Sequence, residues 1–322
     1  MQAILIKLTG SADVLEFTEV PNPVPGVGEV LVAIEASGVN FIDVYFREGR
    51  YPAQLPFIPG QEAAGTVVAL GPEVTTVKVG DRVAWCGIRG TYAQLAVAPA
   101  AQVVRVPDGV SSEQAAAALL QGMTAHYLAY SAYPIRAGET VLVHAGAGGT
   151  GLLLTQIAKK RGARVITTVS TEEKAALSRA AGADEVILYT KQDFAVEVKR
   201  LTNGEGLPVV YDSVGKSTFE QSLASLKPRG LLVLFGGASG AVPPFDLIRL
   251  STMGSLYVTR PTLRDYIATR AELEARANGV FGWVADGSLK LRIEHSYPLK
   301  SAAEAQRALE SRRTTGKVLL KP

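Results

Sequence analysis

From Glu139 to Gly237 the chain repeats one pattern, a short β-branched or apolar run followed by a run of helical character. "TVLVHAG" leads to "GLLLTQIAKKRG", "ARVITTVS" to "TEEKAALSRAAG", "DEVILY" to "DFAVEVKRLTNG" and "LPVVYDSV" to "KSTFEQSLASLKPRG", and "LLVLFGG" follows. Parallel strands need long crossovers, usually helical, and strands covered on both faces read as continuous apolar runs. The alternation therefore predicts an α/β unit with a doubly wound parallel sheet and helices on both faces.

The rest of the chain has another character. Runs at 29–39, 62–71, 81–87 and 92–99 cluster β-branched residues between Gly and Pro signals, which predicts a compact, barrel-like all-β domain. The change comes at "SSEQAAAALLQGMTAHYLAY" (111–130), an alanine-rich helix with Ser111 or Ser112 as its N-cap. After residue 260 the order reads helix, strand, helix, strand.

The stretch "HAGAGGTG" (144–151) satisfies G-x-G-x-x-G with Gly146, Gly148 and Gly151. Glycine is common, so the context matters: a strand precedes the motif and a helix follows. In that setting Gly146 allows a tight turn, Gly148 lets a pyrophosphate approach the backbone, and Gly151 lets helix and strand pack closely. The anion then sits on free N–H groups at the helix N-terminus. Sites for NAD place Asp or Glu at the tip of the next strand, about 20 residues on. Here that tip is Ser170-Thr171 with Lys174 nearby, and Glu172 and Glu173 fall in the first turn of the next helix. This arrangement favours NADPH.

Composition narrows the partners. The 322 residues carry 33 basic and 30 acidic side chains, a net charge of +3 without a basic block, which argues against nucleic acid as a main partner. No run of about 18 apolar residues and no signal-peptide h-region occurs, so a soluble, cytoplasmic protein without membrane association is expected. One cysteine, Cys86, and three scattered histidines, His126, His144 and His295, offer no metal-ligand spacing. Cys86 reads as an inert core thiol, and His144 as a packed or hydrogen-bonded residue.

Further motifs are "GVNFIDVYFREGRYP" (38–52), "PFIPGQEAAGTV" (56–67), "KVGDRV" (78–83), "LLQGMTAHY" (119–127), "VVYDSVG" (209–215), "GSLYVTRP" (254–261) and "TTGKVLL" (314–320). With these the chain resembles, nearly end to end, the zinc-free NADPH:quinone oxidoreductases, the ζ-crystallin-like branch of the medium-chain dehydrogenase/reductase superfamily. The resemblance implies a GroES-like β-barrel-type catalytic domain from 1–123 and 264–322, and a Rossmann NADPH-binding domain from 124–263. It implies metal-free hydride transfer from NADPH to a quinone or related conjugated carbonyl. The alternatives are an enone (2-alkenal) reductase of the same family and a non-catalytic, crystallin-like NADPH-binding protein. Where zinc-dependent relatives carry Cys and Gly-His-Glu, this chain has Asn40 and Gly60-Gln61-Glu62.

The resemblance places Asn40 and Tyr45 beside the nicotinamide as catalytic residues, with Tyr51 and Arg260 lining the substrate cleft. It assigns the cofactor to Thr124, Gly148, Gly149, Thr150, Ser170, Lys174, Tyr189, Ser213, Phe235, Gly236, Thr259 and Arg312, with Arg313 adjacent to the last. "GSLYVT" (254–259) is expected as an edge strand that pairs with a second copy, giving a homodimer.

Overall fold

The computed structural model describes all 322 residues. They fold as two compact units, 1–123 together with 267–322, and 124–266; the first boundary falls inside the helix Ser112–Tyr127.

The 124–266 unit is built on a six-stranded sheet. Its spatial order is Glu185–Leu188, Arg164–Val169, Thr140–Val143, Leu207–Asp212, Leu226–Leu234 and Tyr257–Thr259, with every neighbouring pair parallel. Numbered along the chain this order is 3-2-1-4-5-6, the doubly wound arrangement. The direction of winding reverses between Thr140–Val143 and Leu207–Asp212, and the glycine motif starts at that reversal. Every residue of Leu207–Asp212 is buried. Leu142, Ile166, Val210 and Leu232 pack with Phe194 and Phe219 from the helices into one core; each such buried side chain contributes about 1.5–3 kcal/mol.

One strand begins earlier than the sequence pattern indicated. "LKPRG" reads as the end of a helix, yet the helix stops at Ala224 and the strand runs from Leu226 to Leu234. The strand accommodates Pro228 and Arg229, which has φ +62°, by a register shift against Leu207–Val209. The breakers mark an irregularity inside the strand rather than a turn before it.

In the other unit the long strand Glu29–Val39 is central. It pairs with Glu62–Leu70 along one edge; on the other edge its first half pairs with Leu95–Pro99 and its last residues with Lys317–Lys321. Two register shifts bend it, which is how a sheet curls toward a barrel. Trp85, Val30, Val32, Val67 and Val83 fill the interior. Ser111 caps the helix Ser112–Tyr127 reciprocally with Gln114: the Gln114 N–H donates to the Ser111 hydroxyl, and the Ser111 N–H to the Gln114 side chain.

Candidate active site

In the 124–266 unit the strand Thr140–Val143 is followed by His144, and Ala145 takes up the left-handed backbone, φ +53°. Gly146 is therefore needed for closeness rather than for the turn. A Cβ there would lie 2.6 Å from Thr167 Cβ and 2.7 Å from Ser178 Oγ. A Cβ on Gly151 would collide with the Ala145 carbonyl, so this glycine lets the helix close onto the turn. Helix Gly149–Lys160 starts from Gly148 with no side-chain cap, and Gly148, Gly149 and Thr150 are half-buried. The first N–H groups of a helix have no internal partners, so this end offers bare donors to an anion.

The neighbouring strand ends carry the other candidate residues. Ser170 follows Arg164–Val169, and Tyr189 follows Glu185–Leu188 with its N–H on the Val169 carbonyl at 3.1 Å. Thr171 caps the helix Glu172–Ala180 by accepting from the Lys174 N–H. Glu172 is turned to Lys191, and the Thr171 hydroxyl holds the Glu173 carboxyl below its usual range. No carboxylate occupies the strand tip. Beyond the reversal, Ser213, Phe235 and Gly236 are all half-buried, and a Cβ on Gly236 would strike the Ser213 carbonyl. Arg260, just past the strand that contains Thr259, donates to the Leu234 carbonyl at 2.9 Å. Thr124 is half-buried near the end of the helix Ser112–Tyr127.

Beneath these strand ends lies a buried network that the sequence reading missed. Asp212 accepts the Val214 and Gly215 N–H groups at 2.7 and 3.0 Å, and the Thr218 and Ser222 hydroxyls at 2.7 and 2.9 Å. Ser222 spends its only proton on Asp212, so His144 Nε2–H donates to it at 3.0 Å. Nδ1 is left to accept from Thr168 at 2.8 Å. Burial pushes the His144 pKa down, Asp212 opposing, which keeps the ring neutral. The sequence signal was "YDSVG", an Asp at the end of an otherwise apolar strand.

The other unit holds Asn40, Tyr45 and Tyr51. Asn40 is buried and precedes the helix Phe41–Arg47. Tyr45 is buried on that helix, and Tyr51 meets its ring edge-on at 5.5 Å. Arg50 lies over the Tyr45 ring at 5.4 Å. Asp43 is fully buried; its Oδ2 accepts the Asn40 N–H at 2.9 Å and the Tyr92 hydroxyl at 3.0 Å, while Oδ1 has no partner. Burial raises its pKa to about 7. Arg312 also belongs to this unit, exposed just after the helix Ala302–Glu310 with φ +57°. Arg313 beside it donates to the Ser311 hydroxyl at 2.9 Å.

A zinc ion does not suit these residues. Asn40 and Gln61 are amides, burial pushes the Cys86 thiol well above its usual range, and no three His, Cys, Asp or Glu side chains converge.

Residues 26–108 match the family model for the alcohol dehydrogenase GroES-like domain, and residues 149–275 that for zinc-binding dehydrogenase. A quinone oxidoreductase of Pseudomonas aeruginosa is 49% identical over 97% of both chains. The structure of a mycobacterial protein complexed with NADPH shares 51% identity and a TM-score of 0.97 over the whole of both chains. Escherichia coli quinone oxidoreductase complexed with NADPH has a TM-score of 0.98 at 43% identity, again over both whole chains. With that likeness along its full length, this chain belongs to the quinone oxidoreductases of the medium-chain dehydrogenase/reductase superfamily.

Proposed function

We propose that the chain is an NADPH-dependent quinone reductase that delivers hydride directly, without a metal ion. The observation that carries this reading is the reversal point of the parallel sheet. There, glycines keep side chains away from an uncapped helix N-terminus, and the next strand tip bears Ser170 in place of a carboxylate. The NADPH complexes of the mycobacterial and Escherichia coli relatives support it. The residues fit the dinucleotide, because the helix starting at Gly149 has no side-chain cap on its first N–H groups, and a carboxylate at the strand tip, which would repel a 2′-phosphate, is absent.

When bound, NADPH supplies hydride from its nicotinamide, and a quinone accepts it because the conjugated carbonyl takes up the charge. The protein's part is to bind and orient. Gly148, Gly149 and Thr150 would hold the pyrophosphate. Ser170, Lys174, Tyr189 and Arg312 would surround the 2′-phosphate. Thr124, Ser213, Phe235, Gly236 and Thr259 would complete the cofactor site. Tyr45, with Tyr51 against its ring, is the hydroxyl best suited to hydrogen-bond the developing oxyanion, and Arg260 bounds the acceptor. Two copies would join through the edge strand Tyr257–Thr259, and the cytoplasm is the proposed compartment. No helix is long and apolar enough to cross a membrane.

The test is NADPH oxidation with a panel of benzoquinones, naphthoquinones and 2-alkenals. Quinones are expected to give the highest kcat/KM. Faster turnover of alkenals would make the chain an enone reductase. NADPH binding without turnover of any acceptor would leave a non-catalytic binding protein.

A further inference from the structure

Glu62 and Lys317 form an ion pair whose side chains are 0% and 3% exposed. The pair closes around Asn40. Asn40 Nδ2 donates to Glu62 Oε2 at 2.8 Å and to the Gly38 carbonyl at 3.3 Å. Its Oδ1 accepts from Lys317 Nζ at 2.9 Å and from Gln121 Nε2 at 3.3 Å. A primary amide has two protons to give and two lone pairs to fill. All four are taken. The amide cannot be turned over either, because an ammonium only donates and a carboxylate only accepts.

Two further features show that the backbone is built around this cluster. Asparagine at the start of a helix normally caps it with its side chain. Here the amide is held by Glu62, Lys317, Gln121 and the Gly38 carbonyl, while Asp43 reaches back to the Asn40 N–H. Gly38 supplies the room: a Cβ there would collide with Glu62 Oε2 and stand 2.8 Å from both Lys317 Nζ and the Ala116 carbonyl. The remaining Glu62 oxygen, Oε1, accepts the Leu120 N–H at 2.6 Å, tying the helix Ser112–Tyr127 to the same point.

Resting on the proposed quinone reduction, we infer that Glu62, Lys317 and Asn40 act as one positioning unit, and that Asn40 serves the reaction through this unit rather than by touching the acceptor. The unit fixes the chain at residues 38–40, from which the helix carrying Tyr45 starts. A buried ion pair seldom adds stability over apolar residues of the same volume, whereas fixing a unique arrangement is a use suited to it.

The experiment is a cycle on the full-length protein with NADPH and a benzoquinone. It compares wild type, Asn40→Ala, the double variant Glu62→Gln/Lys317→Met, and the triple variant. NADPH affinity is followed separately by fluorescence. A positioning unit predicts that Asn40→Ala and the double variant each lower kcat by roughly tenfold or more at unchanged NADPH affinity, and that the triple variant lies within about twofold of the weaker of the two. A triple variant that loses the product of both factors overturns the inference, because Asn40 would then act independently. A double variant with wild-type kcat also overturns it.

If the double variant does not fold, Asn40→Ala decides across three acceptors. The same factor for benzoquinone, naphthoquinone and alkenal supports positioning. Factors that differ by roughly tenfold, or wild-type kcat throughout, overturn it. Wild-type protein that binds NADPH and reduces nothing would instead defeat the functional reading and with it the catalytic part of the inference. Lost coupling in an active wild-type background defeats the inference alone.

Discussion

Asp43 shows how burial alone sets the behaviour of one residue. Its carboxyl is raised by desolvation to about 7, and the hydrogen bonds from Asn40 and Tyr92 only partly offset this. Between about pH 4, the unfolded value, and about pH 7, the folded protein keeps a proton that the unfolded chain has released. Stability from this group is therefore full at low pH and falls as pH rises through that window, by at most about 4 kcal/mol. Asp43→Asn should remove the slope, so that its stability relative to wild type grows by about 3 kcal/mol between pH 5 and pH 8. Chemical denaturation at both pH values checks this, and parallel curves would refute it. Lys174 gives the second residue-scale outcome. Lys174→Ala should raise KM for NADPH roughly tenfold, the loss of about 1.4 kcal/mol of phosphate attraction, and leave NADH within about twofold. Equal losses for both cofactors would show that Lys174 does not read the phosphate. The sequence made Lys174 conspicuous because the tip before it lacks an acid. It gave no reason to single out Glu62 or Lys317, since a charge at the end of a strand usually faces water, and only the fold brings the two together across 255 positions.

Elements were legible where period and capping agreed. The apolar runs at Thr140–Val143, Arg164–Val169 and Leu207–Asp212 form the interior of a parallel sheet, and Ser111, one of two caps the sequence allowed, is the one used. The pattern was less informative at Leu226–Leu234, where Pro228 and Gly230 resemble a turn and the sheet absorbs them as an irregularity. The motif glycines also divide their work differently, with Ala145 making the turn and Gly146 making room for Thr167 and Ser178. The edge of the sheet leads to a prediction of its own. Tyr257–Thr259 pairs only with Leu231–Val233, and Tyr257 and Val258 are exposed. An open apolar edge is normally covered. Two copies joined there should give twice the 34.0 kDa chain mass in light scattering, and Val258→Pro should shift the population toward monomer. A wild-type mass of one chain at micromolar concentration would rule the pairing out.

At the scale of the whole molecule, the change of character near residue 111 was visible because strand-rich and alternating segments differ in period. That the chain after residue 266 rejoins the first unit was not visible in periodicity, because the pairing of Val318–Leu320 with Ser37–Val39 depends on registers that no local pattern encodes. Resemblance, and not spacing, supplied that expectation. This topology also imposes an order on biosynthesis. The 124–266 unit is contiguous and has all its strands once the ribosome has passed it. The other unit cannot be finished then. The second half of Glu29–Val39 waits for a strand that has not been translated, and Glu62 waits for Lys317. Until that lysine emerges, the carboxylate has no counter-charge and must stay hydrated, so the nascent chain carries an open, partly assembled sheet through most of its own synthesis.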